Sequence, residues 1–286
     1  MLIEFHKMQA LGNDFVIIEH SCSSTTRRLF EKEFLVNISH RLYGVGCDQV
    51  VVFYRENCFI HAFFFNNDGS EAEICGNASR CLGKLMRDFY GMSQFALVAA
   101  ERDYAVQVNH DSTVSVNMGR PTFKDSAIGF SKKVEDPLNL NPKNDLGLGP
   151  DTLHDVKVLR AAGVSVGNPH LAVFVEEIPQ FQVVAEVGNL LSTNKLFENR
   201  VNVSFVKVLA TDLLEQSSFE RGTGPTLACG SGACASGFLA RACGFTSGSE
   251  ITVQQRGGTL LVAFNEDESI TQTGTASYVF SGRIEL

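Results

Sequence analysis

Two short segments of the sequence are alike, and they lie about half the chain apart. One reads CGNASRCLGKLM from Cys75, and the other reads CGSGACASGFLA from Cys229. In both, a polar loop that contains glycine leads to a Cys-Gly pair, and a stretch of helical character follows. This pattern indicates an internal duplication. It predicts two α/β units related by a pseudo-twofold axis, with the two Cys-Gly helix starts facing one cleft.

β-Strands are predicted to dominate both halves. Runs rich in Val, Ile, Phe and Thr recur between turn residues, and the N-terminal segment MLIEFHKMQALGNDFVIIEH alternates as a half-buried strand does. The predicted strands of the first half are Gln49–Tyr54, Cys58–Phe65, Phe95–Ala100, Tyr104–Val108 and Thr113–Met118. Those of the second half are Val156–Arg160, Leu171–Glu176, Val201–Leu209, Ile251–Gln254, Leu260–Phe264 and Ser277–Ile284.

Helices are predicted most clearly after the two cysteines. The first is expected to be amphipathic. Its apolar positions are Ala78, Leu82, Leu85, Met86 and Phe89. Its polar positions, on the opposite side, are Arg80, Lys84, Arg87 and Asp88. The second, GSGACASGFLARACG, is almost wholly small or apolar, which predicts a helix buried on all sides inside a wrapping sheet.

The segment from Phe123 to Asp151 separates the halves. Its Pro, Gly, Asn and charged residues are typical of a loop or an inter-domain crossing. A boundary there leaves two parts of similar size.

Charge and hydropathy limit the partners of the chain. The formal net charge is -8 and the pI is near 5.4, which argues against nucleic acid or an anionic membrane as a partner. The most apolar stretch, Cys58–Phe65, is far shorter than the roughly 20 residues of a membrane-spanning helix. No targeting segment is visible. We therefore expect a cytoplasmic protein that acts on a small molecule.

The cysteines do not resemble a disulfide scaffold or a metal site. A chain of 286 residues without a secretion signal has little need of disulfides, and no C-x-x-C pair indicates zinc. We expect no metal, and we expect most thiols to be small apolar fillers. The eight cysteines are Cys22, Cys47, Cys58, Cys75, Cys81, Cys229, Cys234 and Cys243.

A cysteine at a helix start suits proton transfer. The free N–H groups and partial positive charge of a helix N-terminus stabilise a thiolate and bind a carboxylate. Inversion at an amino-acid α-carbon needs a base on one face and an acid on the other. Cys75 and Cys229 would supply both, and the helix starts would stabilise charge on the substrate carboxylate. No cofactor signature is present, so we expect none.

The cysteines and glycines of these segments also have structural and nucleotide-binding interpretations. One buried cysteine at a helix start is more often structural than catalytic, and only the matched pair favours catalysis. The glycines of RGTGPT and CGSGAC lack the third glycine of a dinucleotide motif, and no Walker lysine follows. They indicate tight turns instead.

Six ordered segments resemble the motifs of the diaminopimelate epimerases, and together they extend over nearly the whole chain. In chain order they are KMQALGNDFVII, YGVGCDQVVVF, NNDGSEAEICGNASRC, GNPHLAVFVE, RVNVSFVKV and ERGTGPTLACGSGACA.

The resemblance implies a fold, a set of domain boundaries and an activity. The fold would be α/β (α+β), with two pseudo-symmetric domains, each a curled, mostly antiparallel sheet around a central helix, and the active site in the cleft between them. One domain would comprise residues 1–125 and 276–286, and the other residues 126–275. The activity would be interconversion of LL- and meso-diaminopimelate without pyridoxal phosphate or metal, in lysine and peptidoglycan precursor synthesis. By the same analogy, a homodimer is expected.

The resemblance also implies site residues. Cys75 and Cys229 would be the acid/base pair. The reacting carboxylate would be held by backbone N–H groups of Gly76, Asn77, Gly230 and Ser231. The remaining substrate-binding residues would be Asn13, Gln49, Asn66, Asn168, Asn202, Glu220 and Arg221.

Arg221 can hold a carboxylate in a bidentate pair, and Glu220 can hold an ammonium group. His170, with Glu220, would tune the thiols. Taken singly, Asn13, Asn66 and Asn202 could instead cap backbone groups, His170 could be a loop histidine, and Glu220 and Arg221 a surface pair.

Two alternatives and two departures stay open. The same thiol chemistry could serve a proline or hydroxyproline racemase, or the cleft could bind an amino acid without reaction. The distal groups favour a long, doubly zwitterionic substrate, and two thiols favour catalysis.

Pro225 stands where the family often has glutamate, and we expect this substitution to be tolerated because the catalytic N–H groups follow Cys229. The segment from Phe123 to Asp151 matches poorly and bears on the domain boundary.

Overall fold

The structure, a computed structural model, describes residues 2–20, 24–149 and 156–285. Within these ranges the five α-helices are α1 Lys32–Ser39, α2 Gly76–Tyr90, α3 Asp125–Ile128, α4 Phe181–Ser192 and α5 Gly230–Ala242. A 3-10 helix covers Ser24–Phe30. Cys22, one of the cysteines expected to be structural, lies outside the described residues.

Strands carry most of the ordered backbone, in agreement with the sequence analysis. The first eight are β1 Leu2–Ala10, β2 Asn13–Glu19, β3 Gln49–Glu56, β4 Phe59–Asn66, β5 Glu71–Ala72, β6 Gln94–Ala99, β7 Arg102–Val108 and β8 Val114–Asn117. The others are β9 Val158–Ser165, β10 Pro169–Val175, β11 Asn202–Ala210, β12 Leu213–Glu220, β13 Gly224–Thr226, β14 Glu250–Gln255, β15 Gly258–Phe264, β16 Ile270–Gly274 and β17 Ser277–Glu285.

The chain divides into two compact units. The first contains the residues up to Asn117 and those from Thr273 onward, and the second runs from Met118 to Gln272. Strand β16 lies across the second boundary. The domain limits expected from the sequence lie a few residues C-terminal to these two boundaries. That assignment of domains stays a prediction.

The sheet of the first unit has the order β17-β1-β2-β3-β4-β6-β7-β8. The pairs β2–β3 and β4–β6 are parallel, and the remaining neighbours are antiparallel. The short β5 pairs with the end of β4. Helix α2 follows β5 directly.

The second unit repeats this connectivity. Its strands β9-β10-β11-β12-β14-β15 reproduce the order β1-β2-β3-β4-β6-β7, again with the second–third and fourth–fifth pairs parallel and the others antiparallel. The short β13 pairs with the end of β12, as β5 does with β4. Helix α5 follows β13 as α2 follows β5. The duplication expected from the two Cys-Gly segments is thus present in the connectivity of each unit.

The helix after Cys229 is buried over most of its length, as predicted, but its last two residues, Arg241 and Ala242, are exposed. Between Gly230 and Ala240 only Phe238 is not classed as buried. Helix α2 partly contradicts its prediction, because Arg80, expected on a polar face, is fully buried. Arg80 donates hydrogen bonds to Asn77 Oδ1 at 2.8 Å and to the Thr275 carbonyl at 3.4 Å. These acceptors allow a cation to lie in the core. Phe89, expected on the apolar face, is 53% exposed.

The segment from Phe123 to Asp151 is not simply a loop between domains. Up to Gly149 its apolar residues enter the core of the second unit, where they pack with strands β9 to β12 and helix α4. They are Ile128, Phe130, Leu140, Leu146 and Leu148. Single bridges join Phe130 to Phe197 and Leu140 to Ala161. Apart from the short helix α3, the described backbone of this segment is irregular, as the turn-forming composition predicts, and it belongs to the second unit.

Candidate active site

Cys75 is the residue that precedes helix α2. Its backbone is extended, with φ -127° and ψ 110°, so its side chain stands beside the first turn of the helix. The thiol is half-buried and donates to Asn13 Oδ1 at 3.9 Å, the long end of the range for sulfur. Gly76 and Asn77 form the start of the helix, where N–H groups have no acceptor within the helix itself.

Asn13 links the cysteine to two other polar side chains. Its Oδ1 also accepts from Asn77 Nδ2 at 3.2 Å, and its Nδ2 donates to Asp48 Oδ2 at 2.8 Å. Asn77 is in turn held by Arg80. Asn13, predicted to line the site, therefore lies next to Cys75 with its carbonyl oxygen toward the thiol.

An ionic cluster of Lys7, Asp14, Arg41 and Asp48 lies behind Asn13. Lys7 and Arg41 both bind the carboxylate of Asp14, at 2.5 and 2.8 Å, and Arg41 binds Asp48 at 2.6 Å. Burial opposes ionisation of Asp14, but the hydrogen bonds from Arg41 and Lys7 prevail and lower its pKa to about 2. Burial raises the pKa of Asp48.

Gln49 and Asn66 are directly opposite each other on the antiparallel strands β3 and β4. Gln49 Nε2 donates to Asn66 Oδ1 at 2.9 Å, and Asn66 Nδ2 donates to Ser70 Oγ at 3.0 Å. The oxygen of Gln49 is buried without a hydrogen-bond partner. The structure thus joins these two predicted site residues in one pair.

Cys229 precedes helix α5 in the same way, with φ -120° and ψ 114°. It is only 3% exposed. Its sulfur accepts from the Gly232 N–H at 3.3 Å and lies 3.7 Å from Ser231 Oγ. Its backbone N–H donates to Gln255 Oε1 at 2.8 Å. Gly230 and Ser231 begin the helix, as predicted for the residues that would bind a carboxylate.

His170 is connected to Cys229 through two side chains. Its Nε2 lies 2.9 Å from Asn168 Oδ1, and Asn168 Nδ2 donates to Ser231 Oγ at 3.3 Å. Because Asn168 presents its oxygen to the ring, Nε2 carries the proton. Burial, and then the charge of Arg221, lower the pKa of His170 to about 3. The histidine expected near a thiol is thus a neutral donor that contacts Asn168.

Asn202 joins the remaining predicted residues. It lies opposite His170 on the parallel strands β10 and β11. Its Nδ2 donates to the Pro169 carbonyl at 3.2 Å, and its Oδ1 accepts from the Arg221 N–H at 3.0 Å. Asn202 thereby fixes the backbone that carries Arg221.

Glu220 ends strand β12 and accepts from Thr226 Oγ1 at 2.6 Å. Its Cα partner on β13 is Gly224, and the next pair is Phe219 with Pro225. Pro225 is therefore part of the short hairpin that leads to Cys229.

The other described thiols differ from Cys75 and Cys229 in their surroundings. Cys81 is fully buried, and burial strongly raises its pKa. Burial also raises the pKa of Cys47, to about 11. Cys234 is buried, Cys243 is partly buried and Cys58 is exposed. The filler role expected for most of these thiols fits Cys47, Cys81 and Cys234 by burial.

Sequence reasoning missed Asp48, Arg80 and Gln255 as partners of the site. Asp48 stands in the quoted motif YGVGCDQVVVF, one residue before Gln49, so the motif held a usable signal. In the part of the chain that the structure describes, no group of three or more His, Cys, Asp or Glu side chains is placed to hold a metal. No described helix is long and apolar enough to cross a membrane.

Solved structures share the fold and place the chain in a class of two-domain α/β proteins. A PhzF-family phenazine biosynthesis protein from Enterococcus faecalis has a TM-score of 0.70 at 14% identity, with 100% of both chains covered. A hydroxyproline epimerase from Agrobacterium vitis has a TM-score of 0.68 at 11% identity, with 99% of this chain and 91% of that chain covered.

Sequence comparison then identifies the family. The diaminopimelate epimerase family model matches residues 5–124 and 163–279. The diaminopimelate epimerase of Leptospira biflexa serovar Patoc is 34% identical over 295 residues, with 100% of both chains covered. That of Synechococcus elongatus is 34% identical over 291 residues, with 100% of this chain and 99% of the relative covered. The chain belongs to the diaminopimelate epimerase family and is an isomerase.

Proposed function

We propose that this protein epimerises LL-2,6-diaminopimelate to meso-2,6-diaminopimelate in lysine and peptidoglycan precursor synthesis, in the cytoplasm and without a cofactor. Cys75 and Cys229 are the two acid/base groups. The observation that carries the proposal is their equivalent position: each precedes the helix that follows the short fifth strand of its repeat, with nearly equal backbone angles.

The proton balance requires one thiolate and one thiol. The thiolate removes the α-proton, and the electron pair of the C–H bond moves into the carboxylate to give an enediolate. The thiol then gives its proton to the opposite face of the carbon, and the two sulfurs exchange protonation states. N–H groups at the helix starts, from Gly76, Asn77, Gly230 and Ser231, stabilise the negative charge that forms on the carboxylate.

The distal end of the substrate accounts for the other predicted residues. Arg221 binds the distal carboxylate, and Glu220 binds the distal ammonium group. Asn202 supports this role because it holds the backbone of Arg221. Asn66 and Gln49, already paired through their amides, offer further groups for a long zwitterion, together with Asn168. A proline-type substrate has no second carboxylate or ammonium group for them to bind.

Incubation in heavy water tests the proposal. With LL-diaminopimelate we expect meso product that carries deuterium at the inverted α-carbon. Activity should survive treatment with a chelator and with hydroxylamine, which would remove a metal or block a carbonyl cofactor. Parallel incubations use L-proline and trans-4-hydroxy-L-proline. Exchange in these and none in diaminopimelate would favour the racemase alternative, and loss of activity with chelator or hydroxylamine would refute cofactor independence.

A further inference from the structure

One hydrogen bond at each cysteine sulfur has a defined direction, and the two directions are opposite. At Cys229 the Gly232 N–H donates to sulfur. Asn168 Nδ2, whose own oxygen contacts His170, donates to Ser231 Oγ, and this hydroxyl lies 3.7 Å from the sulfur in a contact in which either atom can be the donor. At Cys75 the donors run away from sulfur, from the thiol to Asn13 and from Asn13 to Asp48.

Asp48 and Asn77 together determine which way the Asn13 amide points, Asp48 as the acceptor of its NH2 group and Asn77 as a donor to its oxygen. An ionised carboxylate only accepts hydrogen bonds, so it can pair with the Asn13 NH2 group and not with its oxygen. The amide oxygen is thereby turned toward Cys75 and Asn77. A rotation of the amide by half a turn would place its oxygen against the carboxylate and its NH2 group against the Asn77 NH2 group.

The carboxylate of Asp48 is itself held in place. Its Oδ2, which accepts from Asn13, also accepts from the Asp14 N–H at 3.1 Å. In return the Asp48 N–H donates to Asp14 Oδ1 at 3.1 Å. Lys7 and Arg41 balance the charge of Asp14, and Arg41, whose side chain is 59% exposed, covers the outer oxygen of Asp48.

We propose that Asp48 is a positioning residue that keeps Cys75 protonated in the substrate-free protein, by fixing the carbonyl oxygen of Asn13 as the acceptor for the thiol. An acceptor next to sulfur stabilises S–H and disfavours the thiolate. This inference rests on the proposed function, in which the protonated cysteine is the acid. In that step the S–H bond breaks, its electron pair stays on sulfur, and a C–H bond forms.

The test measures thiolate formation at Cys75 without substrate. The full-length protein is alkylated with iodoacetamide across a pH series, and the rate at Cys75 is read from its peptide by mass spectrometry. In Asp48→Ala the Asn13 NH2 group loses its acceptor, and only Asn77 still holds the amide oxygen in place. Asn13 can then rotate more easily to present its NH2 group to sulfur, so we expect the pH midpoint at Cys75 to fall by up to about one unit. Asp48→Asn retains an amide oxygen that can accept from Asn13 and should restore a midpoint near that of the native protein.

Two controls separate orientation from charge and from unfolding. Arg41→Ala removes the outer ion pair and leaves the contact between Asn13 and Asp48, so its midpoint should stay near the native value. Cys81, fully buried in the same helix, should remain unlabelled in every folded variant. If Asp48→Ala exposes Cys81, Asn13→Ala carries the test, because it removes the acceptor directly and should also lower the midpoint.

Two outcomes overturn the proposal. One is a native midpoint in folded Asp48→Ala, or in Asn13→Ala where Asp48→Ala exposes Cys81. The other is a shift in Asp48→Asn as large as in Asp48→Ala, which would assign the effect to charge. Either leaves the two-thiol epimerase proposal intact, because failure of that proposal is seen in the heavy-water experiment.

Discussion

Cys75 and Cys229 each occupy the position directly before a helix, and their φ and ψ angles differ by only a few degrees. Their immediate partners differ: Cys75 faces the amide oxygen of Asn13, whereas Cys229 accepts from the Gly232 N–H. The repeat thus gives the two thiols nearly the same backbone conformation, with an acceptor beside one sulfur and a backbone donor beside the other. This difference is what the proposed mechanism requires, in which one sulfur holds a proton and the other does not.

Replacing either of these cysteines should remove most of the activity. For Cys75→Ala and for Cys229→Ala we expect epimerisation to fall by about 10²- to 10⁴-fold, the usual contribution of one acid/base group. The measurement is the initial rate of meso product formation. Cys81→Ala and Cys234→Ala are matched controls, because each removes a buried thiol from the same two helices. Native turnover in either single mutant of the proposed pair would refute the two-base mechanism.

Arg221 should control substrate affinity. Arg221→Gln removes a charged, bidentate partner of the distal carboxylate, and a charge-assisted hydrogen bond contributes about 1.5–3 kcal/mol. We expect KM for diaminopimelate to rise by about 10- to 100-fold, with a smaller fall in kcat. Steady-state kinetics test this, with Arg241→Gln, another arginine of the second unit, as the control. An unchanged KM would mean that Arg221 does not contact the substrate.

His170 should make the protein less stable in mild acid. Its pKa is about 3 in the folded state and near 6.5 in an unfolded chain, so the unfolded state binds more protons between these values. Above pH 6.5 His170 does not lower the free energy of unfolding. Between pH 6.5 and about 3, that free energy falls by about 1.4 kcal/mol for each unit by which the pH falls.

Urea unfolding at a series of pH values measures this slope. His170→Gln, which keeps a donor for Asn168, should show a shallower loss between pH 6 and pH 4 than the native protein. His110→Gln changes an exposed histidine and should keep the native slope. Equal slopes in all three proteins would contradict the assignment of the acid sensitivity to His170.

Gly188 allows helix α4 to approach strand β12 just before Glu220. A methyl group at this position would lie 2.5 Å from Phe219 Cβ, so Gly188→Ala should lower the free energy of unfolding by about 1–3 kcal/mol. Gly237→Ala is the control, because its nearest neighbour would be Val262 at 3.4 Å, an ordinary contact, and alanine favours helix by about 1 kcal/mol. Chemical denaturation measures the free energy of unfolding of both variants. If Gly188→Ala is as stable as Gly237→Ala, helix α4 can shift away from β12 without cost.

Local features of the sequence predicted the helices that begin the site. The Cys-Gly pairs and the small or apolar residues after Cys229 determine helix starts and burial from a few neighbouring positions. Arg80 could not be predicted in the same way, because one of its acceptors, the Thr275 carbonyl, is 195 residues away in the chain. Helical periodicity alone assigns such a residue to solvent.

Strand β12 shows another limit on predicting strands from the hydrophobic pattern of the sequence. Its sequence LLEQSSFE is rich in polar residues, and Gln216, Ser217 and Ser218 are all buried. The strand lies between an antiparallel partner, β11, and a parallel one, β14, and such pairing depends on residues distant in the sequence. The end of β12 carries Glu220, so the sequence predicted this site residue without predicting the strand that holds it.

Strand β1 pairs with β17 over almost its full length, from Leu2 with Glu285 to Gln9 with Ser277. During synthesis, residues 277–285 leave the ribosome long after β1. The second unit is continuous in the chain and can therefore fold first. Until β17 is synthesised, the edge of β1 that pairs with it has no partner strand. Truncation or delayed release of the C-terminal strand would leave that edge available for pairing with another nascent chain.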